Sequence, residues 1–206
     1  MKVLLINGSP HEKGCTYTAL SLIAGELNAA GIETEILNVG TKPVGGCIGC
    51  GGCRSGNGCV FGGVVNEAIE KAKTADAFVF GSPVHYASAA GNMASFMDRL
   101  AYAGGKYLAY KPAAVCCSAR RAGTTSTLDQ LVKYPQFFHM PLVNGSYWAM
   151  VHGSNPEQVL QDAEGCAVMQ ELGRNMAWLL RCIEAGKAAG IQHPENPRRP
   201  MTNFIR

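Results

Sequence analysis

The 206-residue chain has little charge and almost no excess of one sign. Lys and Arg number 18 against 15 Asp and Glu, a net charge of +3, and no basic run is present. Arg198 and Arg199 in the tail are too few to form a patch for nucleic acid or an anionic membrane. No apolar stretch approaches the length of a membrane span. The N-terminus lacks the basic start, apolar stretch and small-residue cleavage site of a secretory leader. Internal repeats, low-complexity tracts and linkers are missing too, as are the GxGxxG fingerprint and the P-loop GK[ST]. These absences argue against nucleic-acid, membrane and classical dinucleotide-binding roles. They lead to the expectation of a cytoplasmic protein with a single domain over residues 1–206.

What is there is a globular composition, 47% hydrophobic against 16% charged, so the chain can bury a core. Glycine and cysteine are plentiful, at 25 and nine residues. In a reducing cytosol, clustered cysteines point to metal or redox chemistry rather than structural disulfides.

Lys2–Asn7 (KVLLIN) reads as a buried strand. Leu20, Ile23, Ala24 and Leu27 then share a helical face that Gly31 closes. Glu33–Leu37 is a second strand, and Val65, Ala68, Ile69 and Ala72 mark a second helix. Ala77–Phe80 is a third strand, followed by a helix through Met93, Phe96, Met97 and Leu100. Ala113–Cys117 is a fourth strand, with a helix around Ser126–Tyr134, and a fifth strand is expected from Pro141 to about Trp148. Ser154-Asn155-Pro156-Glu157 carries the signals of a helix start, from which one long helix runs to Gly186–Gly190. Residues 192–206 read as an extended tail on a surface or a partner subunit. Regular strand–helix alternation means an α/β fold: a parallel sheet with helices on both faces.

Ligands of doubly wound sheets bind beyond the carboxyl ends of strands, where the strand order reverses. Three loops leave strand ends here. The first, GSPHEKGCT from Gly8, has small residues, the hydroxyls of Ser9, Thr16 and Thr18, the charges of His11 and Lys13, and a helix N-terminus. That set suits a phosphate, and equally an ordinary capped turn. The second, GSPVHYASAAGNM, offers a low wall for a planar ring, with Tyr86 as ring contact or rim packing and His85 beside it. The third, SARRAG, brings Arg120 and Arg121 to the same edge, either solvated or facing negative charge on a ligand.

The runs KVLLINGSPHEKGCTYTAL and FVFGSPVHYASAAGNMASFMDRL resemble the flavodoxin-like NADPH-dependent FMN reductase family. The resemblance implies a five-stranded parallel sheet in the order 2-1-3-4-5. It implies FMN, with its phosphate in Ser9, His11, Lys13, Cys15, Thr16, Tyr17 and Thr18. The ring would lie against Pro83, Val84, His85, Tyr86, Ala87 and Ser88, with Ser118, Arg120, Arg121 and Gly123 closing the other side. Relatives often carry Ser or Asn-Thr where this chain has Cys15-Thr16, so backbone amides and Thr16 have more to do. The implied reaction takes hydride from NAD(P)H and passes it to a quinone, an aromatic nitro or azo compound, free flavin or a redox protein. No side chain is essential as acid or base. A non-enzymatic electron carrier or a thiol-based redox sensor is the competing class. The pI of about 8.4, against acidic flavodoxins, favours the enzyme. A homodimer or homotetramer is expected from the open ring face and the long apolar helix.

Cys47-x2-Cys50-x2-Cys53-x5-Cys59 is the sharpest chemical signal. Four thiolates within 13 residues suit a [4Fe–4S] cluster, although the ferredoxin run closes with a shorter gap and a proline. The spacing resembles that of iron–sulfur flavoproteins, for which ferredoxin is a partner. Flavin-only relatives carry such cysteines as free thiols or a disulfide, and zinc is a third option. Cys15, Cys116, Cys117, Cys166 and Cys182 read as packing residues.

Overall fold

The computed structural model describes residues 1–197 together with Thr202 and Phe204. The apolar runs become strands β1 (Lys2–Asn7), β2 (Glu33–Asn38), β3 (Ala77–His85), β5 (Ala113–Ala119) and β6 (Met150–His152), paired in parallel in the order β2-β1-β3-β5-β6. A two-residue strand, β4 (Ser88–Ala89), folds back antiparallel on β3. With β4 set aside, this is the expected flavodoxin-like order, and β1 lies between β2 and β3 from Val3 to Asn7.

Alternation along the strands splits the core in two, because successive side chains leave opposite faces. Val3 and Leu5 face α1 (Cys15–Ala29) and α6 (Ala163–Ala188), where Leu20, Ile23, Leu27, Met169, Leu172 and Met176 are buried. Leu4 and Ile6 face α2 (Val64–Thr74) and α3 (Gly91–Gly104), with Phe78, Phe80, Met93 and Phe96. Leu131 of α4 (Thr124–Phe137) joins the second core. Each such buried side chain contributes about 1.5–3 kcal/mol.

Two expectations need correction. The fifth strand is Met150–His152, not Pro141–Trp148; only Leu142 bridges to Ala113. The segment between lies beside β5, and its Tyr147 and Trp148 are exposed rather than buried, so alternation was absent. The last helix is also interrupted. Asn155 caps a single turn, α5 (Pro156–Val159), by accepting from Gln158 N–H at 2.9 Å. Asp162 then restarts the helix by accepting from Gly165 N–H at 2.9 Å while also accepting from His152 N–H at 2.7 Å. One carboxylate thus ties the edge strand to a helix start. In the tail, residues 192–197 have no regular structure, and His193 stacks on Tyr110 at 4.4 Å. From Arg198 onward the expected tail lies outside the described residues, apart from Thr202 and Phe204.

Next to β1 sits a charge network. Lys2 Nζ lies 2.8 Å and Lys71 Nζ 2.6 Å from the Glu35 carboxylate. The Lys2 ammonium, then that of Lys71, holds this carboxyl below its ordinary range. A folded-state pKa below the unfolded one gives stability that is present above the unfolded value and lost as pH falls through the folded one. Glu35→Gln should therefore reduce the loss of urea stability between neutral pH and pH about 3, by at most about 1 kcal/mol, because the pair is partly solvated. Urea midpoints of both proteins at the two pH values check this.

Candidate functional site

The first loop is shaped from below by Asn7, a wholly buried amide at the end of β1. Its Oδ1 accepts from Ser9 N–H at 3.1 Å. Its Nδ2 donates to Asn38 Oδ1 at 2.8 Å and to the Glu12 carbonyl at 3.1 Å, with a longer contact of 3.5 Å to the His11 carbonyl. Ser9 Oγ accepts from His11 N–H at 3.1 Å. The loop is thus pre-bent, and it delivers α1 with Gly14 as an N-cap that makes no side-chain bond. First-turn amides left without a cap are donors for an anion, and the helix dipole adds to their pull.

The second loop is more ordered than the sequence suggested. Gly81-Ser82-Pro83 does not stop β3, which continues to His85 and turns through Tyr86-Ala87 into β4. Both turn residues have positive φ, 49° and 58°, the conformation of a tight primed hairpin turn and one that non-glycine residues adopt at a cost of about 1–3 kcal/mol each. Helix α4 holds the hairpin in that state. Gln130 Oε1 accepts from Ser88 Oγ at 2.6 Å and from Ala89 N–H at 2.8 Å. Ser126 Oγ donates to the Ala87 carbonyl at 2.7 Å. Gly123, just before α4, lies so close that a Cβ there would sit 2.7 Å from Ala87 Cα.

The third loop leaves β5 beside both. Ser118 Oγ and Thr16 Oγ1 share a buried hydrogen bond of 2.8 Å, tying the start of α1 to the end of β5. Ser9, His11, Cys15, Thr16, Pro83, Val84, His85, Ser118 and Arg120 line one crevice of about 150 Å³, so the three loops converge as expected from the strand order. Lys13 and Tyr17 line a separate depression over α1, and Thr18 Oγ1 bonds back to the Gly14 carbonyl at 3.2 Å. Arg121 is exposed outside the crevice lining, Tyr86 and Ala87 are exposed at the hairpin turn, Ser88 opens β4, and Gly123 packs against the turn from behind.

Ala119, within the third loop, and Gly153, which sequence reasoning missed, complete the crevice. Gly153 follows β6, whose position was misplaced; its carbonyl accepts a weak bond from Cys15 Sγ at 3.6 Å. Burial pushes the Cys15 thiol up, which keeps it neutral. Burial pushes the Cys117 thiol up to about 12 and that of Cys116 further, as inert packing residues require. Cys182, read as packing, is exposed.

The four clustered cysteines surround a second cavity of about 300 Å³ between the 47–61 loop and α3. The loop bends through left-handed glycines at Gly51 and Gly56, on either side of a short turn that carries Cys53. Asn66 grips Cys59, accepting from its N–H at 2.8 Å and donating to its carbonyl at 3.0 Å. Asn92 binds the loop's approach: Nδ2 donates to the Gly40 and Lys42 carbonyls at 3.1 and 2.9 Å, and Oδ1 accepts from Val44 N–H at 3.1 Å. All four thiols are free. Among the described residues no three His, Cys, Asp or Glu side chains gather tightly enough for one ion. The four residues instead line one shared cavity, and a donor set of four thiols without a carboxylate or imidazole in the lining is the ligand chemistry of an iron–sulfur cluster.

Comparison with known proteins gives a consistent picture. The family model described as NADPH-dependent FMN reductase matches residues 1–155. An iron–sulfur flavoprotein of Methanocaldococcus jannaschii is 28% identical over 192 residues, which cover 89% of this chain and 100% of that protein. Among solved structures, RosB with a bound riboflavin-5'-phosphate derivative superposes with a TM-score of 0.68 at 14% identity, covering 100% of this chain and 92% of that one. A flavodoxin from the domain Archaea gives 0.60 at 14% identity, covering 88% of this chain and 99% of that one. At these identities the two structures speak for the flavodoxin-like fold alone.

Proposed function

This chain belongs to the NADPH-dependent FMN reductase family, and from that premise we propose that it is an FMN-dependent oxidoreductase that takes hydride from NAD(P)H and reduces a quinone-like, aromatic or flavin acceptor. The observation that carries the reading is the convergence of an uncapped helix start, a strained hairpin and the end of β5 on one crevice. FMN, when bound, supplies the hydride chemistry.

The chain's residues bind and orient it. The first-turn amides of α1 are placed to take the phosphate, with His11 and Arg120 in the same lining. The neutral Cys15 thiol adds no charge to repel it. Thr16 and Ser118 hold the phosphate end and the β5 end at a fixed separation. Pro83 and Val84 give a wall for the ring, and the Gln130 and Ser126 bonds keep that wall from folding away. Exposed Tyr86 is available to a second aromatic substrate or to a partner copy in a homodimer or homotetramer. A cytoplasmic setting suits the free thiols.

A second reading is favoured by the cysteine cavity and by the name of the relative from Methanocaldococcus jannaschii. Here Cys47, Cys50, Cys53 and Cys59 hold a [4Fe–4S] cluster, which supplies single-electron exchange with a ferredoxin-like partner.

The test is a visible spectrum of protein purified without oxygen, followed by addition of NADH or NADPH. Two flavin bands that bleach with NADH or NADPH support the reductase. Flavin bands over broad brown absorbance support the cluster as well. A spectrum without flavin, even after FMN is added, sinks the proposal. In steady-state assays His85→Ala should lower turnover by less than about tenfold, since general acid–base catalysis contributes about 10²–10⁴-fold. A loss in that larger range would make His85 a proton donor.

A further inference from the structure

Helix α3 carries a polar stripe that the apolar face does not explain. Asn92 and Arg99 are seven residues apart and so share a face, with Ser95 between them. Asn92 bonds the cysteine loop's approach, Ser95 Oγ lies 3.8 Å from where a Cβ on Gly46 would sit, and Arg99 reaches the cysteines themselves. Arg99 is only 6% exposed, an unusual position for a guanidinium. Its Nη1 donates to the Gly45 carbonyl at 3.3 Å and its Nη2 to the Gly62 carbonyl at 3.0 Å. Its Nε donates to Cys59 Sγ at 3.2 Å, and Phe61 covers it at 5.6 Å.

Among the described residues no carboxylate pairs with this guanidinium. A buried charge without a counter-charge is expensive, and two backbone carbonyls are dipoles rather than anions. The group that faces it is instead the Cys59 sulfur, 3.2 Å from Nε and one of the four candidate ligands. Four cysteines ligated to a divalent metal or an iron–sulfur cluster leave a net anionic group, and the cavity places that group against Arg99.

We propose that Arg99 is the fixed counter-cation of the Cys47–Cys50–Cys53–Cys59 centre, a positioning residue that stabilises the anionic, metal-bound form of the four thiolates and fixes Cys59 towards the cavity. The proposal rests on the reading of these cysteines as a metal-centre ligand set. It adds a residue from outside the cysteine motif, whose role depends on its charge. Loss of a neighbour that hydrogen-bonds to a ligating group typically costs about 10–100-fold in metal affinity.

The test uses the full chain with FMN bound, purified without oxygen and freed of metal by chelation, and cobalt(II) alone as probe. The four thiols line one cavity without converging on a single point, so cobalt(II) has to draw them together, and its thiolate ligation then gives an intense sulfur-to-metal charge-transfer band whose growth measures affinity. Arg99→Gln should weaken cobalt(II) binding by about 10–100-fold, and Arg99→Lys, which keeps the charge, should recover most of that loss. Unchanged flavin bands and circular dichroism in both variants show that the fold is kept. Equal affinity in the parent chain and Arg99→Gln overturns the proposal, and so does an equal loss in Gln and Lys variants. A parent chain that binds no cobalt(II) through sulfur overturns it too. The cluster reading is judged separately, from iron and acid-labile sulfide in the protein as purified. Cobalt binding without native iron and sulfide would remove the cluster and leave the role of Arg99 to the comparison of variants.

Discussion

Gly40→Ala should cost the protein most of its FMN while leaving it folded. Gly40 lies just beyond β2, where the chain crosses under the first loop, and a Cβ there would collide with the Gly8 and Ser9 carbonyl oxygens. These are backbone atoms, so no side chain can rotate away. Asn92 holds Gly40 from the other side through its carbonyl, which closes the obvious route of escape. The loop that delivers α1 must move instead. Overpacking of this kind costs about 1–3 kcal/mol of stability. Any part of it that falls on the FMN-competent geometry weakens binding tenfold for each 1.4 kcal/mol or so. Fluorescence titration of the stripped protein with FMN, beside a urea midpoint, measures both quantities. A variant that binds FMN as tightly as the parent would show that the Ser9 region does not hold the phosphate.

Asn7→Leu should destabilise the whole chain by about 3 kcal/mol, because it strips several buried partners at once. Ser9 N–H, the Glu12 carbonyl and Asn38 Oδ1 all lose the group they bond. Leucine keeps the number and branching of the heavy atoms, is bulkier, and offers none of these bonds, so each orphaned group pays a desolvation penalty. Asn7→Asp separates the two roles of the amide. It can still accept from Ser9 N–H, but it turns a carboxylate towards the Glu12 carbonyl and Asn38 Oδ1, close to the proposed anion site. It should therefore lose more FMN affinity than Asn7→Leu relative to the stability each retains. Urea unfolding and FMN titration of both variants decide this; equal stability of Asn7→Leu and the parent would remove Asn7 from the architecture of the loop.

These two positions also mark where the sequence was silent. Neither Gly40 nor Asn7 carries a signal that sets it apart: one is a glycine among 25, the other the polar end of a strand. Arg99 was hidden in the same way, on what reads as the solvated side of α3. Only the passage of the cysteine loop across that side turns it into a buried charge. The hairpin was missed because Gly81-Ser82-Pro83 punctuates a strand in local terms, whereas pairing with β5 as far as Ser118 carries β3 through it. The edge strand was misplaced because a three-residue pairing needs no hydrophobic run to announce it.

The sequence by itself determined the α/β alternation, the faces of α1, α2 and α3, the strand-end loops that converge on one crevice, and the grouping of four cysteines. All of these are written in residues close together along the chain, where periodicity and turn chemistry act. The tertiary structure alone decided which residues hold the two sites in shape: Asn7 beneath the loop, Gly40 against it, Gln130 behind the hairpin, and Arg99 against the thiols. Each of those roles depends on a partner 30 or more residues away or on burial by a crossing segment, and the energy of a hydrogen bond or charge is fixed by what surrounds it.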